Sequence, residues 1–298
     1  MVKILNYGSL NIDKVYKVDH IVKPGETITS SNFSIHAGGK GENQSAALGK
    51  AGMNVYHAGK IGTDGLFLLD LLKDCSVNTD FVSTSAQYTG QAIIQVADSG
   101  QNSIFLLSGG NRENSTKEID AVLQNFKAGD YLILQNEINN VNYLIEQGKQ
   151  KNMIICFNPS PFTPEIREYN LKAVDMFFVN EIEACQILEI SMDDSIKNDY
   201  PKILKKLCNM FCNAQILLTV GKKGSYYSDG KEVLHQPIID TKVIDTTAAG
   251  DTFMGYFIAS SILGFTKAKS LYYATLASSI TVSKVGALES IPFGKEIF

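Results

Sequence analysis

The sequence predicts an α/β protein: a mainly parallel sheet covered by helices on both faces, with a small accessory β-sheet. Three observations carry this. Short apolar runs alternate with helical patterns over most of the chain. Two segments break that rhythm with residue-by-residue alternation of apolar and polar side chains. Two stretches of small residues each stand directly before a helical pattern. Strand and helix repeating in this way is the signature of parallel sheets, whose strands are buried on both faces and read as continuous apolar runs.

In order, VKILNYG predicts a strand, GENQSAALGKAG a helix, NVYHAGKIG a strand and DGLFLLDLLKD a helix. YLILQ is the next strand, followed by a helix near 139–150, and MIICFNPS and MFFVN are strands. Helices follow from Glu181 and near 201–212, then the strand QILLTVG. Phe253, Phe257, Ile258 and Ile262 recur near helical spacing, which starts the last clear helix around Gly250. Residues 14–36 and 88–107 are the β-rich exceptions, with turn signals at Pro24-Gly25 and Asp98-Ser99-Gly100. The expectation is one α/β domain over 1–298, from which these two excursions form a lid over a ligand cleft.

The 298 residues are 44% hydrophobic and 19% charged, a globular composition with enough apolar content for a large core. A net charge of −4 argues against nucleic acid as a partner. The apolar run of MVKILNYGSLNIDKV is too short for a signal peptide, and no window approaches the ~18 apolar residues of a membrane span, so a cytoplasmic location is expected. Five scattered cysteines do not make a disulfide framework, and Cys208 and Cys212 read as two residues of one helix, not as metal ligands.

Two stretches carry chemistry. In DTTAAGDTF, residues 245–253, small residues precede a helix start, where free amides and the helix dipole favour an anion. Asp251 in the first turn suits a base that takes a proton from an alcohol attacking a phosphoryl group, although an aspartate near a helix start is also an ordinary capping residue. In HAGGKGENQSAALGKAG, Gly38 and Gly39 allow close backbone contact with a small polar ligand, and Lys40 and Asn43 offer donors. This stretch lacks the Gly-Lys-Ser/Thr of a Walker loop and the three spaced glycines of a dinucleotide fingerprint.

AGGKGENQSAALGKAGMNVYHAGKIGTDGLF and DTTAAGDTFMG resemble the paired N- and C-terminal signatures of the ribokinase-like (PfkB) carbohydrate kinases. GSLNID, PGET, LQNE, NPSP, VNEIEA, LLTVGKKG and VSKVGALESIP fall between and around them in that family's order. The resemblance implies a three-layer sandwich with a β-sheet lid and ATP-dependent phosphorylation of a sugar. Gln44 and the Asn11/Asp13 pair favour D-ribose, phosphorylated at O5. The same chemistry on deoxyribose, fructose or a nucleoside, and a catalytically idle sugar-binding relative, are the competing readings.

Carried over by position, the resemblance implies that Asp251 is the general base and that the amides of Ala248, Ala249 and Gly250 receive the transferred phosphoryl group. It implies that Asn11, Asp13, Gly39, Lys40, Asn43 and Glu137 hold the sugar. Without it, Asn11 and Asp13 read as a turn and Glu137 as a cap for the helix near 139. Asn180 and Glu183 match an Asn-x-x-Glu motif that places Mg²⁺ and phosphates, and Thr219, Gly221 and Gly224 match a loop that receives ATP. Lys222 and Lys223 read as solvated. Asp245, Thr247, Thr281, Lys284, Gly286 and Ser290 match a monovalent-cation site, usually potassium, with Asp245 supplying the charge. Leu66-Phe67, where the family often has Gly, read as packing. A lid with an exposed apolar face implies a homodimer.

Overall fold

The computed structural model describes residues 2–191 and 199–298. Among them, nine strands form one sheet: β1 (Ile4–Tyr7), β4 (Val55–Ile61), β5 (Val77–Thr84), β8 (Tyr131–Gln135), β9 (Ile154–Asn158), β10 (Met176–Asn180), β11 (Gln215–Thr219), β12 (Ser225–Ser228) and β13 (Val233–Gln236). Their order is β13-β12-β11-β10-β9-β8-β1-β4-β5. Pairing is parallel from β5 to β11; β12 pairs antiparallel with both β11 and β13, so among these strands it alone runs against the rest.

Successive strand side chains point to opposite faces, and the sequence makes both faces apolar. Ile4, Ile133, Cys156, Phe178 and Leu217 enter one core, which also holds residues of α1 (Lys40–Lys50), α2 (Leu66–Asp74), α7 (Ala249–Ile262) and α8 (Lys267–Val282). Leu5, Leu132, Leu134, Phe157, Phe177 and Leu218 enter the other, with α3 (Thr116–Leu123), α4 (Val141–Gln150), α5 (Glu181–Ile187) and α6 (Tyr200–Met210). The result is the helix–sheet–helix sandwich that the apolar runs predict.

The remaining strands, β2 (Asn11–Val18), β3 (Asn32–Gly38), β6 (Gly90–Ala97) and β7 (Asn102–Leu107), form a separate sheet of order β3-β2-β6-β7. These are the two β-rich excursions, joined because β2 pairs parallel to β6 along its full length. The turn at 98–100 closes the β6–β7 hairpin, with Gly100 N–H donating to Ala97 O.

Two local expectations, and one alternative reading, need correction. The helix near 201–212 ends at Met210, because Phe211 leaves helical geometry to stack on Phe177 at 4.4 Å, and Cys212 therefore lies outside it. Asn140, not Glu137, stands at the N-cap of the next helix and makes no side-chain cap bond there, so the alternative reading of Glu137 as a cap does not hold. Leu66 and Phe67 do not pack: the 3₁₀ turn at Thr63–Gly65 sets the phase of α2 so that Leu68 and Leu72 face the core, leaving Leu66 and Phe67 exposed.

Candidate active site

Packing between α1 and α7 builds the centre of the site. A Cβ on Gly255 would stand 2.5 Å from Ala47 Cβ, so only glycine lets the two helices approach this closely. One turn earlier on each helix, the approach brings Asp251 against Asn43 and Gln44. Gln44 Nε2 donates to Asp251 Oδ1 at 2.8 Å and Asn43 Nδ2 to Oδ2 at 3.2 Å. All three side chains are buried.

Helix α7 begins one residue earlier than its apolar spacing implies. Ala248 is its N-cap in left-handed geometry (φ 60°), and Thr252 N–H makes the first helical bond, to Ala248 O at 2.8 Å. Ala249 N–H turns back to Thr246 O in a long 3.3 Å bond, so of the expected amide trio it is partly engaged. Among the described residues Gly250 N–H has no acceptor, and a Cβ at Gly250 would meet nothing within 4 Å. That first turn is braced from α8, where Ser278 Oγ donates to Ala249 O at 2.7 Å and Thr281 Oγ1 to Thr252 Oγ1 at 3.2 Å.

A cavity of about 630 Å³ opens beside this turn. Lys40, Ala248, Ala249, Gly250 and Asp251 line one end of it, and Asn180, Glu183, Thr219, Gly221 and Gly224 line its wall. Asn180 and Glu183 form a reciprocal capping box: Asn180 Oδ1 accepts from Ile182 and Glu183 N–H, while Glu183 Oε2 accepts from Asn180 N–H at 3.0 Å. The loop of Gly221 and Gly224 is the turn from β11 into antiparallel β12. Lys222 and Lys223 are both exposed, as expected of solvated lysines, although Lys222 also borders the cavity and Lys223 lies over the Tyr200 ring. Ile238, Ile239 and Val243 supply apolar wall that no motif announced.

On the other side of Asp251 the residues are polar and closely tied. Glu137 Oε2 accepts from Lys40 N–H at 2.9 Å and from the Ser9 hydroxyl, which itself accepts from Gly41 N–H at 3.2 Å. Gly39 caps α1 at φ 94°, a left-handed value that favours glycine, and a Cβ there would press on Ser9 and Asn11. Asn11 Oδ1 accepts from Asn111 Nδ2 at 2.8 Å, and Asn111 also clamps the Leu10 backbone through both amide atoms. Burial, and then the nearby Glu137 charge, push the Asp13 carboxyl up to about 7. Beside it Glu42 is fully buried, and burial holds its carboxyl well above the usual range. Burial works against the Lys40 ammonium, but Asp251, Glu137 and Glu183 together raise its pKa. Lys40 thus sits between the polar cluster and the cavity.

The six residues matched to a cation site fall around the C-terminal end of α8. Asp245 Oδ1 accepts from Thr247 N–H at 2.9 Å and from its hydroxyl at 2.7 Å, and Oδ2 accepts from Gly286 N–H at 3.1 Å. Desolvation opposes ionisation of Asp245, yet these bonds hold its pKa below the usual value. Lys284 N–H donates to Thr281 O. Ser290 is buried and donates to Ala287 O, with no direct bond to Asp245.

Ser9, Gln135 and Gln44 stand inside motifs the sequence displays, but nothing local says what they touch. Asn111 carries no sequence signal at all.

Comparison with known proteins identifies the family. The pfkB family carbohydrate kinase profile matches residues 1–293. The ribokinase of Haemophilus influenzae is 32% identical over 97% of this chain and 95% of its own length. The bifunctional ribokinase/ribose-5-phosphate isomerase A of Fructilactobacillus sanfranciscensis is 33% identical over 98% of this chain, which spans 55% of that longer protein. The crystal structure of ribokinase from Cryptococcus neoformans var. grubii serotype A in complex with ADP superposes over 100% of this chain and 99% of that one, at 33% identity and a TM-score of 0.88. The chain belongs to the pfkB family of carbohydrate kinases.

Proposed function

We propose that this sugar kinase transfers the γ-phosphoryl group of ATP to O5 of D-ribose. One observation carries the reading: Asp251 lies where a long, partly apolar cavity meets a compact set of buried polar groups, at a helix N-terminus with an open amide. In this reading Asn11, Asp13, Gly39, Lys40, Asn43 and Glu137 hold the sugar. Glu137 and Asp13 accept from hydroxyls while Lys40 and Asn43 donate, which suits a polyhydroxy ligand and penalises one that leaves these groups unpaired. Asp251 takes the O5 proton as O5 attacks in line. The amides of Ala248, Ala249 and Gly250 meet the charge that builds on the phosphoryl oxygens, and such preorganised donors contribute on the order of 3 kcal/mol each.

ATP occupies the cavity, its phosphates toward Gly250 and its base against Ile238, Ile239 and Val243, with Thr219, Gly221 and Gly224 beneath. Glu183 uses Oε2 for the Asn180 amide, which leaves Oε1 for a hydrated Mg²⁺; that ion needs only one or two carboxylates. Bound there, Mg²⁺ neutralises phosphate charge. Asp245, with the oxygen-rich turn of Thr247, Thr281, Lys284, Gly286 and Ser290, suits a potassium ion. Such an ion orders the phosphoryl-binding loop without touching substrate, an effect transmitted through the ligands' neighbours.

The β3-β2-β6-β7 sheet is the lid, and with the sandwich it completes a single domain. Phe33, Ile35 and Ile104 to Leu107 are half exposed on it, an apolar surface that pairing of two lids in a homodimer would cover. The proposal places the enzyme in the cytoplasm; no described helix is long and apolar enough to cross a membrane. An ADP-release assay over a panel of sugars and nucleosides tests the acceptor. Ribose is expected to give the highest kcat/KM, and preference for deoxyribose, fructose or a nucleoside overturns the assignment. Replacing potassium by a large organic cation is expected to lower activity; unchanged turnover removes the cation site.

A further inference from the structure

Asp251 is the end of a chain of buried amides that crosses the central sheet. Gln44 of α1, Gln135 at the end of β8, Asn6 of β1, Ser45 of α1 and His57 of β4 are each at most 1% exposed. Gln44 Oε1 accepts from Gln135 Nε2 at 2.7 Å, and the same nitrogen donates to Asn6 Oδ1 at 2.9 Å. Asn6 Nδ2 donates to Gly41 O at 2.8 Å and Ser45 Oγ at 2.9 Å. Ser45 Oγ lies 2.7 Å from His57 Nδ1.

The direction of every amide hydrogen bond from Asn6 to Asp251 follows from one fixed point. A backbone carbonyl only accepts, so Gly41 O fixes which side of the Asn6 amide carries hydrogen. The Asn6 oxygen must then face Gln135, whose nitrogen must donate, and it spends its two hydrogens on Asn6 and Gln44. Gln44 has its oxygen occupied and can present only its nitrogen to Asp251. At the far end Ser45 accepts from Asn6 and meets His57 Nδ1 in a bond whose direction the imidazole tautomer sets; the ring is neutral because burial pushes it down to about 4. Reversing one amide would set like against like in a dry interior, where unmatched polar groups are costly.

We propose that Gln44 is a positioning residue: oriented through Gln135 and Asn6, it gives Asp251 Oδ1 a donor of fixed direction and so sets the plane of the carboxylate that receives the acceptor's proton. The inference rests on the reading of Asp251 as base. It assigns a task to the Gln of the GGKGENQ stretch that neither substrate contact nor the fold requires.

The test is steady-state kinetics on Gln44→Met, Gln135→Met, Asp251→Asn and the Gln44→Met/Asp251→Asn double variant, each checked for folding by circular dichroism and Tm. Misplacing a reacting group by about 1 Å costs up to about 10²-fold, so kcat of Gln44→Met should fall roughly 10- to 100-fold while both KM values hold. Gln135→Met, which touches no ligand, should lose kcat in the same direction by less. In the Asp251→Asn background Gln44→Met should cost nothing further. Parental kcat in folded Gln44→Met, a rise in KM alone, or losses that multiply in the double variant would overturn the proposal. Should Gln44→Met not fold, Gln44→Asn keeps the amide, withdraws it by one methylene, and carries the same expectation. If Asp251→Asn itself keeps parental kcat, the base assignment fails; if it is inactive while Gln44→Met is normal, only the positioning role fails.

Discussion

The two ends of the site are built by opposite means. Around Asp251 the side chains are polar and buried, and Gln44 (1% exposed) and Asn43 (6%) both donate to it. Another part of the cavity wall is apolar and open, with Ile238 49% and Val243 59% exposed. A buried polar cluster discriminates strongly, because a ligand that fails to match leaves groups unpaired in a dry site. An exposed apolar wall grips a flat ring by area and tolerates variation. Specificity for the acceptor and tolerance toward the nucleotide base are therefore expected from the same molecule.

The largest effect should come from the residue at the junction. Asp251→Asn keeps size and helix position but removes the proposed base, and general bases are worth roughly 10²–10⁴-fold in rate. The turnover number should fall by that factor while sugar binding, measured by calorimetry, persists. If turnover survives, the contrast between the two ends loses its chemical meaning.

A smaller effect separates the polar end from the apolar one by pH. The Asp13 carboxyl is raised to about 7, first by burial and then by Glu137. In the proposed sugar site a hydroxyl donates to the ionised form, so protonation would compete with binding. Lowering the pH below about 7 should raise KM for the sugar, approaching tenfold per unit, with little change in KM for ATP. Asp13→Asn should bind sugar more weakly and lose the pH dependence. A parental KM for sugar that is flat between about pH 6 and 8 would remove Asp13 from the acceptor site.

At the apolar end, Ile238→Ala combined with Val243→Ala removes wall area that is already half solvated. KM for ATP should rise only several-fold, by about 1 kcal/mol, with the sugar KM untouched. A large drop in kcat instead would mean that this wall orders the phosphoryl-binding loop and not merely the base.

What the sequence disclosed follows the same division. Sheet and helices were legible because apolar runs report burial directly, and Asp251 and Gly250 were legible because a helix start behind small residues is a local pattern. The partnerships of the polar end were not. Ser9 with Glu137, Asn111 with Asn11, and Gln135 with Gln44 join residues about a third of the chain apart or more, and an amide in a motif says nothing of which amide it meets. The apolar wall was hidden for another reason: residues 238–243 lie in no helix or strand, so no period marks Ile238 or Val243 as facing a cavity.

The polar end should also carry a stability cost that the apolar end lacks. Both Glu42 carboxylate oxygens are buried without a hydrogen-bond partner in the described chain, and burial raises its pKa well above 4.5. The folded protein therefore keeps a proton that the unfolded chain has released once the pH passes about 4.5. Folding stability attributable to this group is full below that value and declines as pH rises toward the folded-state pKa. The Glu42→Gln substitution keeps nearly the same shape and removes the titration, so the decline should vanish. The informative quantity is the Tm of the variant minus that of the parent across a pH series: near constant in acid, then growing in favour of the variant through neutrality. A difference that stays level would mean that Glu42 is ionised in the fold, held by a charge partner, and that the polar end is less dry than its burial implies.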